Sequence, residues 1–281
     1  MKHFLIYTNK YKDIELKVTE HIRDYLVSHG QQVTVVQKET DWKAEASKQQ
    51  VCEMPADADC MIVLGGDGTV LQAVRDMRNG SVPLIGVNLG TLGYMTEIEP
   101  ANLEEALQRL ITGDYSRERR MMLSGQVLHG DQEWALNDIV ISRSGSLQII
   151  NFRIYVNGLF LHEYNADGVI VTTPTGSTGY NLSAGGPLVE PGAELIMLTP
   201  ICPHTLNQRS IILSPADVIE IEILEGRAGR SQSVEVNFDG NRRIPLQAGD
   251  RIRIVKWSQS TEFIRLNQVS FLETLHKKMQ E

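Results

Sequence analysis

The stretch Cys60-Met61-Ile62-Val63-Leu64-Gly65-Gly66-Asp67-Gly68-Thr69-Val70-Leu71-Gln72-Ala73-Val74-Arg75 decides how the first part of this chain folds. Its uninterrupted apolar run reads as a buried strand, and the glycines break it into a turn. Val70, Leu71 and Val74 then fall on one face of a helix. Three glycines among Gly65, Gly66 and Gly68 let the backbone approach a ligand with no Cβ in the way. Turn amides and a helix N-terminus together favour an anion, most often a phosphate. One carboxylate, Asp67, sits inside that turn. It repels a phosphate unless a metal ion or a proton transfer gives it a purpose, and this conflict is the first clue to function.

Working outward, the same strand-and-helix alternation repeats. Residues 3 to 7 read as a strand. Residues 12 to 29 read as a helix with Ile14, Val18, Ile22 and Leu26 along one face and Gly30 placed to end it. Strands follow at 33 to 36, 60 to 64 and 83 to 88, with the polar segment 38 to 57 read as a loop. Such β-α-β order implies a Rossmann-like parallel sheet covered by helices. The strand ending at Asn88 runs into a second glycine-rich turn, Asn88-Leu89-Gly90-Thr91-Leu92-Gly93-Tyr94. Parallel strands present their C-terminal ends on one side of a sheet, so the two turns are expected to face one pocket. A helix is expected at 101 to 112, with Leu103, Ala106, Leu107 and Leu110 inward.

Beyond about residue 117 the texture changes to short β-type runs at 126–128, 138–141, 152–156, 168–171, 211–213, 218–223, 234–236 and 250–254. Several alternate as half-buried antiparallel strands do. Asn157-Gly158 and Asp239-Gly240 are hairpin signals. The chain ends in a helical pattern, with Val269, Leu272, Leu275 and Met279 on one face. The expected organisation is therefore an α/β N-terminal domain, residues 1–98 joined by about 258–281, and a mostly-β domain, 99–257. The last helix is expected to pack back on the N-terminal domain.

Bulk properties narrow the function classes. Of the 281 residues, 42% are hydrophobic and 22% charged, as in ordinary soluble globular proteins. A formal net charge of −8 argues against a nucleic-acid partner, which calls for a basic face. The three cysteines, Cys52, Cys60 and Cys202, fit neither a zinc nor a disulfide framework, which points to a reducing compartment. With no signal-like or membrane-spanning run, the chain reads as cytoplasmic with no membrane partner.

Three further segments carry chemistry. Asn137-Asp138 precedes a strand; an amide that both donates and accepts, beside a carboxylate, can read a base edge or a ribose, though Asn and Asp are also ordinary turn residues. The segment from Asp167 through Thr173-Pro174-Thr175-Gly176-Ser177-Thr178-Gly179-Tyr180-Asn181-Leu182-Ser183-Ala184-Gly185-Gly186-Pro187 is dense in hydroxyls and bare amides. In it, Tyr180 offers a ring face to a base. A loop of this composition loses much chain entropy on ordering, which favours a functional reading. In Pro203-His204-Thr205-Leu206, no cluster of His or Cys surrounds His204, so it reads as a hydrogen-bonded structural histidine rather than a base or ligand.

These motifs, in this order and spacing, together with Asn88-Leu89-Gly90-Thr91-Leu92-Gly93, resemble the NAD kinase (ATP-NAD kinase) family. The Gly-Gly-Asp-Gly turn alone also resembles diacylglycerol and sphingosine kinases, so a lipid kinase is the alternative enzyme, and a non-catalytic NAD(P)-sensing module is the alternative outside enzymes. The NAD kinase resemblance implies a phosphotransferase with an alcohol acceptor, which moves the terminal phosphate of ATP, or of another donor such as polyphosphate, to the 2′-hydroxyl of the adenosine ribose of NAD, giving NADP. It implies Asp67 as proton acceptor and NAD contact. It implies Gly65, Gly66, Gly68 and Thr69 around the phosphates. It implies NAD contacts from Gly68, Asn137, Asp138, Gln148, Asn165, Asp167, Thr178, Gly179, Tyr180, Asn181, Leu182, Ser183 and Asn241. The family usually has Glu at Asp138, and often Ala at Gly179 and Ser at Asn181. A divalent ion, Mg²⁺ or Mn²⁺, is implied with ATP, with no protein ligand set assigned to it. So is assembly into a homodimer or homotetramer.

Overall fold

A computed structural model describes residues 1–38, 55, 57–77, 82–90, 93–128, 130–145, 149–205, 209–226, 232–266 and 271–280. The chain divides into two compact units: residues Met1–Arg119 with Thr261–Glu281, and residues Arg120–Ser260. The expected boundary at 98/99 lies earlier than this division, because the helix at 103–112 packs with the α/β unit through Leu103, Ala106, Leu107 and Leu110, all buried in its core.

In the first unit the elements are β1 (His3–Asn9), α1 (Lys17–Ser28), β2 (Gln32–Lys38), β3 (Cys60–Gly65), α2 (Asp67–Asp76), β4 (Leu84–Asn88), β5 (Thr96–Ile98) and α3 (Leu103–Thr112). The strands pair in the order β5-β4-β3-β1-β2, all parallel. β3 is buried at every position, as a central parallel strand must be when both faces are covered. Ile62 and Leu64 join Phe4, Ile6, Ile85, Val87, Ile22, Leu26 and the inward face of α3 in one core.

α1 departs from the expected helix at its start. Glu15 and Leu16 have positive φ (59° and 56°), so the α-helix begins only at Lys17, and Ile14, expected on the inner face, is 72% exposed. Buried Asp13 explains the shift. Its carboxylate accepts the amides of Val18 (3.0 Å) and Thr19 (2.8 Å), satisfying first-turn donors that have no helical partner. The expected stop is in place, with Gly30 at φ +75°. Of the loop expected at 38–57, almost all lies outside the described residues.

In the second unit follow β6 (Ser116–Val127, its first residues belonging to the α/β unit), β7 (Gln132–Ala135), β8 (Asp138–Arg143), β9 (Ile150–Val156), β10 (Leu159–Ala166), β11 (Gly168–Thr172), the single turn α4 (Tyr180–Ser183), β12 (Ile196–Ile201), β13 (Ile211–Leu213), β14 (Ile219–Ile223), β15 (Val234–Phe238), β16 (Arg242–Leu246) and β17 (Arg251–Arg265, whose last residues return to the α/β unit). One antiparallel sheet runs β13-β12-β11-β8-β15-β16, and a second runs β10-β9-β14-β17. Alternate residues of both sheets, among them Ile139, Ile141, Val169, Val171, Val236, Phe152, Ile154, Ile221 and Ile252, meet in one core. Both hairpin signals hold. Asn157-Gly158 (φ 53° and 77°) forms the twist-matched two-residue turn between paired Val156 and Leu159, and Asp239-Gly240 (φ 49° and 74°) opens a three-residue connection, 239–241, between paired Phe238 and Arg242.

The closing helix α5 (Phe271–Lys278) belongs to the α/β unit, where the Phe271 ring faces Tyr94 at 6.1 Å. Of the face expected to turn inward, Leu275 is half-buried, as Phe271 is. Leu272 and Met279 are 70% and 78% exposed, and Val269 lies outside the described residues. Among the described residues, no helix is long and apolar enough to cross a membrane.

Candidate active site

In the α/β unit, β3 ends at Gly65 and α2 begins at Asp67, with Gly66 as its extended N-cap. The turn is tight: a Cβ on Gly65 would fall 2.6 Å from that of Thr69. Thr69 is accordingly buried, facing back onto the turn, whereas Gly68 is exposed with nothing near its Cβ position. The second glycine turn is tied to the first by the Leu89 amide, which donates to Gly65 O at 3.1 Å.

Asp67 is fixed from both sides. Its Oδ2 accepts the Tyr94 amide at 2.9 Å and its Oδ1 the Met95 amide at 3.0 Å. The close approach requires a glycine at 93, because a Cβ there would overlap the Asp67 carboxylate. Each oxygen retains a lone pair that the amides do not use. The carboxylate borders a cleft of about 180 Å³ lined by Lys12, Gly66, Asp67, Leu89, Gly90, Gly93 and Lys278. The two glycine turns thus face one pocket, although Thr91 and Leu92 lie outside the described residues. The positive end of the α2 dipole and two ammonium groups make the cleft a seat for an anion, despite its carboxylate.

The second unit builds a polar platform at one end of its β8-containing sheet. Asp239, in the β15–β16 hairpin, turns its carboxylate onto the amides of Leu136 (2.8 Å), Asn137 (2.8 Å) and Asp138 (3.1 Å). That grip orients the Asn137-Asp138 pair. On the other side, Thr173 N and Thr172 Oγ1 both donate to Asn137 O at 2.9 Å, and Thr173 Oγ1 donates to Leu136 O at 2.6 Å. The hydroxyl-rich loop is thereby stitched to the 136–138 turn. Asp138 is buried, and burial with the neighbouring Asp239 charge raises its carboxyl pKa to about 8. Asn137 Oδ1 is buried without a protein partner.

Within the loop, exposed and internal positions separate cleanly. Tyr180, Leu182 and Ser183 are exposed, and Thr178 and Gly179 are half-buried. Asn181 is fully buried. Its Nδ2 donates to Pro187 O at 3.0 Å and its Oδ1 accepts Thr199 Oγ1 at 2.7 Å, so its side chain holds the loop together from inside. Burial raises the Tyr180 phenol pKa, with further raising by Cys202, Asp167 and Asp138. Tyr180 and these two carboxylates therefore share one region of the unit. Asp167 forms a two-pronged pair with Arg143 (Nε–Oδ1 3.0 Å, Nη2–Oδ2 3.4 Å). Asn165 is half-buried, and its carbonyl accepts the exposed His204 through the backbone amide at 2.8 Å. That bond is made by the main chain of His204 and not by its ring. Asn241 is exposed at the hairpin tip beside Asp239, and Gln148 lies outside the described residues.

Four residues of these two places escaped the sequence reading. Asp239 was visible only as a hairpin turn, with nothing to show where its carboxylate points. Arg143 lies on the strand begun by Asp138 but has no motif of its own. Lys12 and Lys278 come from opposite ends of the chain, and no spacing links them to the glycine turn.

Known proteins match along this whole architecture. Residues 4–115 match the ATP-NAD kinase N-terminal domain and residues 136–266 the ATP-NAD kinase C-terminal domain. A protein named NAD kinase from Lachnospira eligens is 44% identical, covering 99% of this chain and 100% of that protein. Another NAD kinase, from Caldanaerobacter subterraneus subsp. tengcongensis, is 39% identical over the full length of both. Two solved structures share the fold. One is a yeast NADH kinase complexed with NADH (TM-score 0.87, 23% identity, 100% of this chain and 88% of that one). The other is an Archaeoglobus fulgidus NAD kinase in complex with ATP (TM-score 0.79, 24% identity, 100% of both chains). Carried by both units and by full-length relatives well above 30% identity, this chain belongs to the NAD kinase family.

Proposed function

We propose that this chain transfers the terminal phosphoryl group of ATP to the 2′-hydroxyl of the adenosine ribose of NAD, yielding NADP and ADP. The observation that carries the reading is Asp67: a carboxylate fixed by two amides in a cleft otherwise suited to an anion. A phosphate seat alone has no use for a carboxylate, but an attacking hydroxyl does. In the transfer, the ribose 2′-oxygen bonds to the γ-phosphorus as the bond to the β,γ-bridging oxygen breaks. The hydroxyl proton passes to a free lone pair of Asp67, and ADP leaves. Phosphoryl transfer asks mainly for positioning and charge stabilisation, so a carboxylate that takes the proton late suffices.

The donor's phosphates lie along Gly65, Gly66 and Gly68 at the α2 N-terminus, with Thr69 shaping the turn. The divalent ion, Mg²⁺ or Mn²⁺, is part of the substrate, arriving on the phosphates and offsetting their charge against Asp67. In the second unit, Asn137 and Asp138 bind the nucleotide, and Asn137 Oδ1, buried and unpaired, is a natural acceptor for its amino or hydroxyl donors. Asp167, Thr178, Gly179, Tyr180, Leu182 and Ser183 line the dinucleotide, with Tyr180 against a base. Asn165 and Asn241 contact it at the edge, and Asn181 acts by holding the loop. The protein works in the cytosol in NADP biosynthesis as a homodimer or homotetramer, which light scattering measures.

The test is NADP formation from NAD, ATP and Mg²⁺, read with a dehydrogenase that requires NADP. Activity absent from purified, folded protein refutes the reading. Phosphorylation of diacylglycerol or a sphingoid base instead favours the lipid-kinase alternative, and NADP binding without turnover favours a sensor. Replacing ATP with polyphosphate in the same assay settles the donor.

A further inference from the structure

The cleft at Asp67 contains two lysines that come from the two ends of the chain, Lys12 and Lys278. Three lysines elsewhere sit against carboxylates, Lys17 on Glu15, Lys38 on Asp76 and Lys256 on Glu194, each at 2.8 Å. Among the described residues, neither Lys12 nor Lys278 is ion-paired.

Lys12 is positioned through its backbone, and Lys278 through a side-chain contact as well. Lys12 lies in the turn after β1, where its amide donates to Asn9 O at 2.9 Å and the Asp13 amide to the same oxygen at 3.0 Å. Asn9 Oδ1 also accepts the Tyr11 amide at 2.9 Å, and Asp13 anchors the far side of the turn to the start of α1. Lys278 lies in the last turn of α5, and its Nζ stands over the Tyr94 ring, 4.9 Å from the centroid. The same ring faces Phe271, at the start of that helix, and the amide of the same residue holds Asp67. Tyr94 thus couples the position of the carboxylate to that of the lysine. Two ammonium groups outnumber the one carboxylate in the lining, and they reach it as flexible point charges suited to phosphate oxygens.

We propose that Lys12 and Lys278 form a clamp for the phosphate chain of the donor, so that the closing helix contributes directly to donor binding. The proposal rests on the reading of this cleft as the donor's seat. Lys278 exchanges part of its contact with the Tyr94 ring for a phosphate oxygen. Lys12 approaches from the β1 side, and the chain of phosphates lies over Gly66 and Gly90 with its end toward Asp67.

Five variants test this in the full chain: Lys12→Ala, Lys278→Ala, the double variant, Lys278→Arg, and Lys277→Ala, which removes an exposed lysine of the same helical turn that does not line the cleft. KM for MgATP rises about tenfold in each single variant, the loss of one charge-assisted contact, and further in the double. KM for NAD stays within about twofold, because the loss is confined to donor contacts. Lys277→Ala leaves both KM values unchanged, and Lys278→Arg restores part of the lost donor affinity. Calorimetry with Mg²⁺-tripolyphosphate, without NAD, gives an independent reading, with binding in the wild type and weaker binding in the lysine variants.

Unchanged KM for MgATP in the double variant overturns the clamp, as does an equal rise in both KM values with a lowered melting temperature. If NADP is made but tripolyphosphate binding ignores both lysines, the clamp fails and the kinase reading stands. If tripolyphosphate binding depends on the lysines but no NADP is made, the clamp stands and the kinase reading fails.

Discussion

Gly93→Ala places a methyl group where the Asp67 carboxylate now lies. The added Cβ would overlap Oδ1, and would sit 2.7 Å from Cγ and 3.0 Å from Oδ2. Contacts that short do not persist, so the backbone at 93 or the carboxylate must move by about an ångström to restore ordinary van der Waals separation. Moving the carboxylate strains or breaks its bonds to the Tyr94 and Met95 amides. Each bond to an ionised group contributes about 1.5–3 kcal/mol where buried, but Asp67 is half-exposed and water recovers part of that. A net stability loss of about 1–2 kcal/mol follows. The catalytic cost is larger, because displacing a reacting group by about 1 Å costs on the order of 100-fold in rate. The variant is therefore expected to fold, to melt a few degrees lower, to bind NAD as before, and to lose about two orders of magnitude in kcat. Steady-state kinetics beside a thermal melt and NAD titration measure all three. A Gly93→Ala enzyme with wild-type kcat would refute the claim that the position of Asp67, set by its two amides, governs turnover.

Three further outcomes follow from the second unit. Asp239→Ala removes the acceptor of three amides at the 136–138 turn and is expected to cost about 2–4 kcal/mol in chemical denaturation while raising KM for NAD; unchanged KM would mean the turn does not touch the dinucleotide. Asp138 has its folded-state pKa raised to about 8, so its contribution to stability is full below the ordinary carboxylate range near 4 and is lost as pH rises toward 8. Asp138→Asn should flatten that part of the stability profile, and a denaturation midpoint that falls equally in both proteins between pH 5 and 8.5 contradicts the burial argument. At Gly179 a Cβ meets only ordinary contacts, 3.4 Å to Gly176 O and 3.8 Å to Asn137 Nδ2, so Gly179→Ala should leave stability and KM for NAD within about twofold, in contrast to position 93.

The α/β unit was readable because β3 and the glycine turn announce themselves: a buried parallel strand must be apolar throughout, and a strand-to-helix turn at a phosphate site must be bare. The ends of helices were less legible. Ile14 has the right spacing for the inner face of α1, but Asp13 reaches forward to cap the helix and leaves Ile14 outside. In α5 the pattern Leu272, Leu275, Met279 has helical period, yet of these only Leu275 is half-buried, and Phe271, outside the pattern, is the residue that meets the Tyr94 ring. Period alone does not say which neighbour a helix meets. In the β unit, β7, β10, β12 and β16 are absent from the runs expected from sequence, and the last two each contain a proline. Pro200 lies beyond the part of β12 that pairs with β13, and Pro245 is in the edge strand β16, positions where a sheet tolerates proline. The candidate site followed the same rule. Its backbone loops were visible as composition, while the side chains that fix them, Asp239 on three amides and Lys278 on Tyr94, depend on folding at long range.

The most direct test is Asp67→Asn, with kcat and NAD affinity measured on the same preparation. The amide keeps the size of the carboxylate but cannot take the ribose proton, so kcat should fall by orders of magnitude while NAD affinity stays within a few-fold. A large loss of NAD binding with near-normal turnover would contradict the account and mean that Asp67 holds NAD rather than accepting its proton.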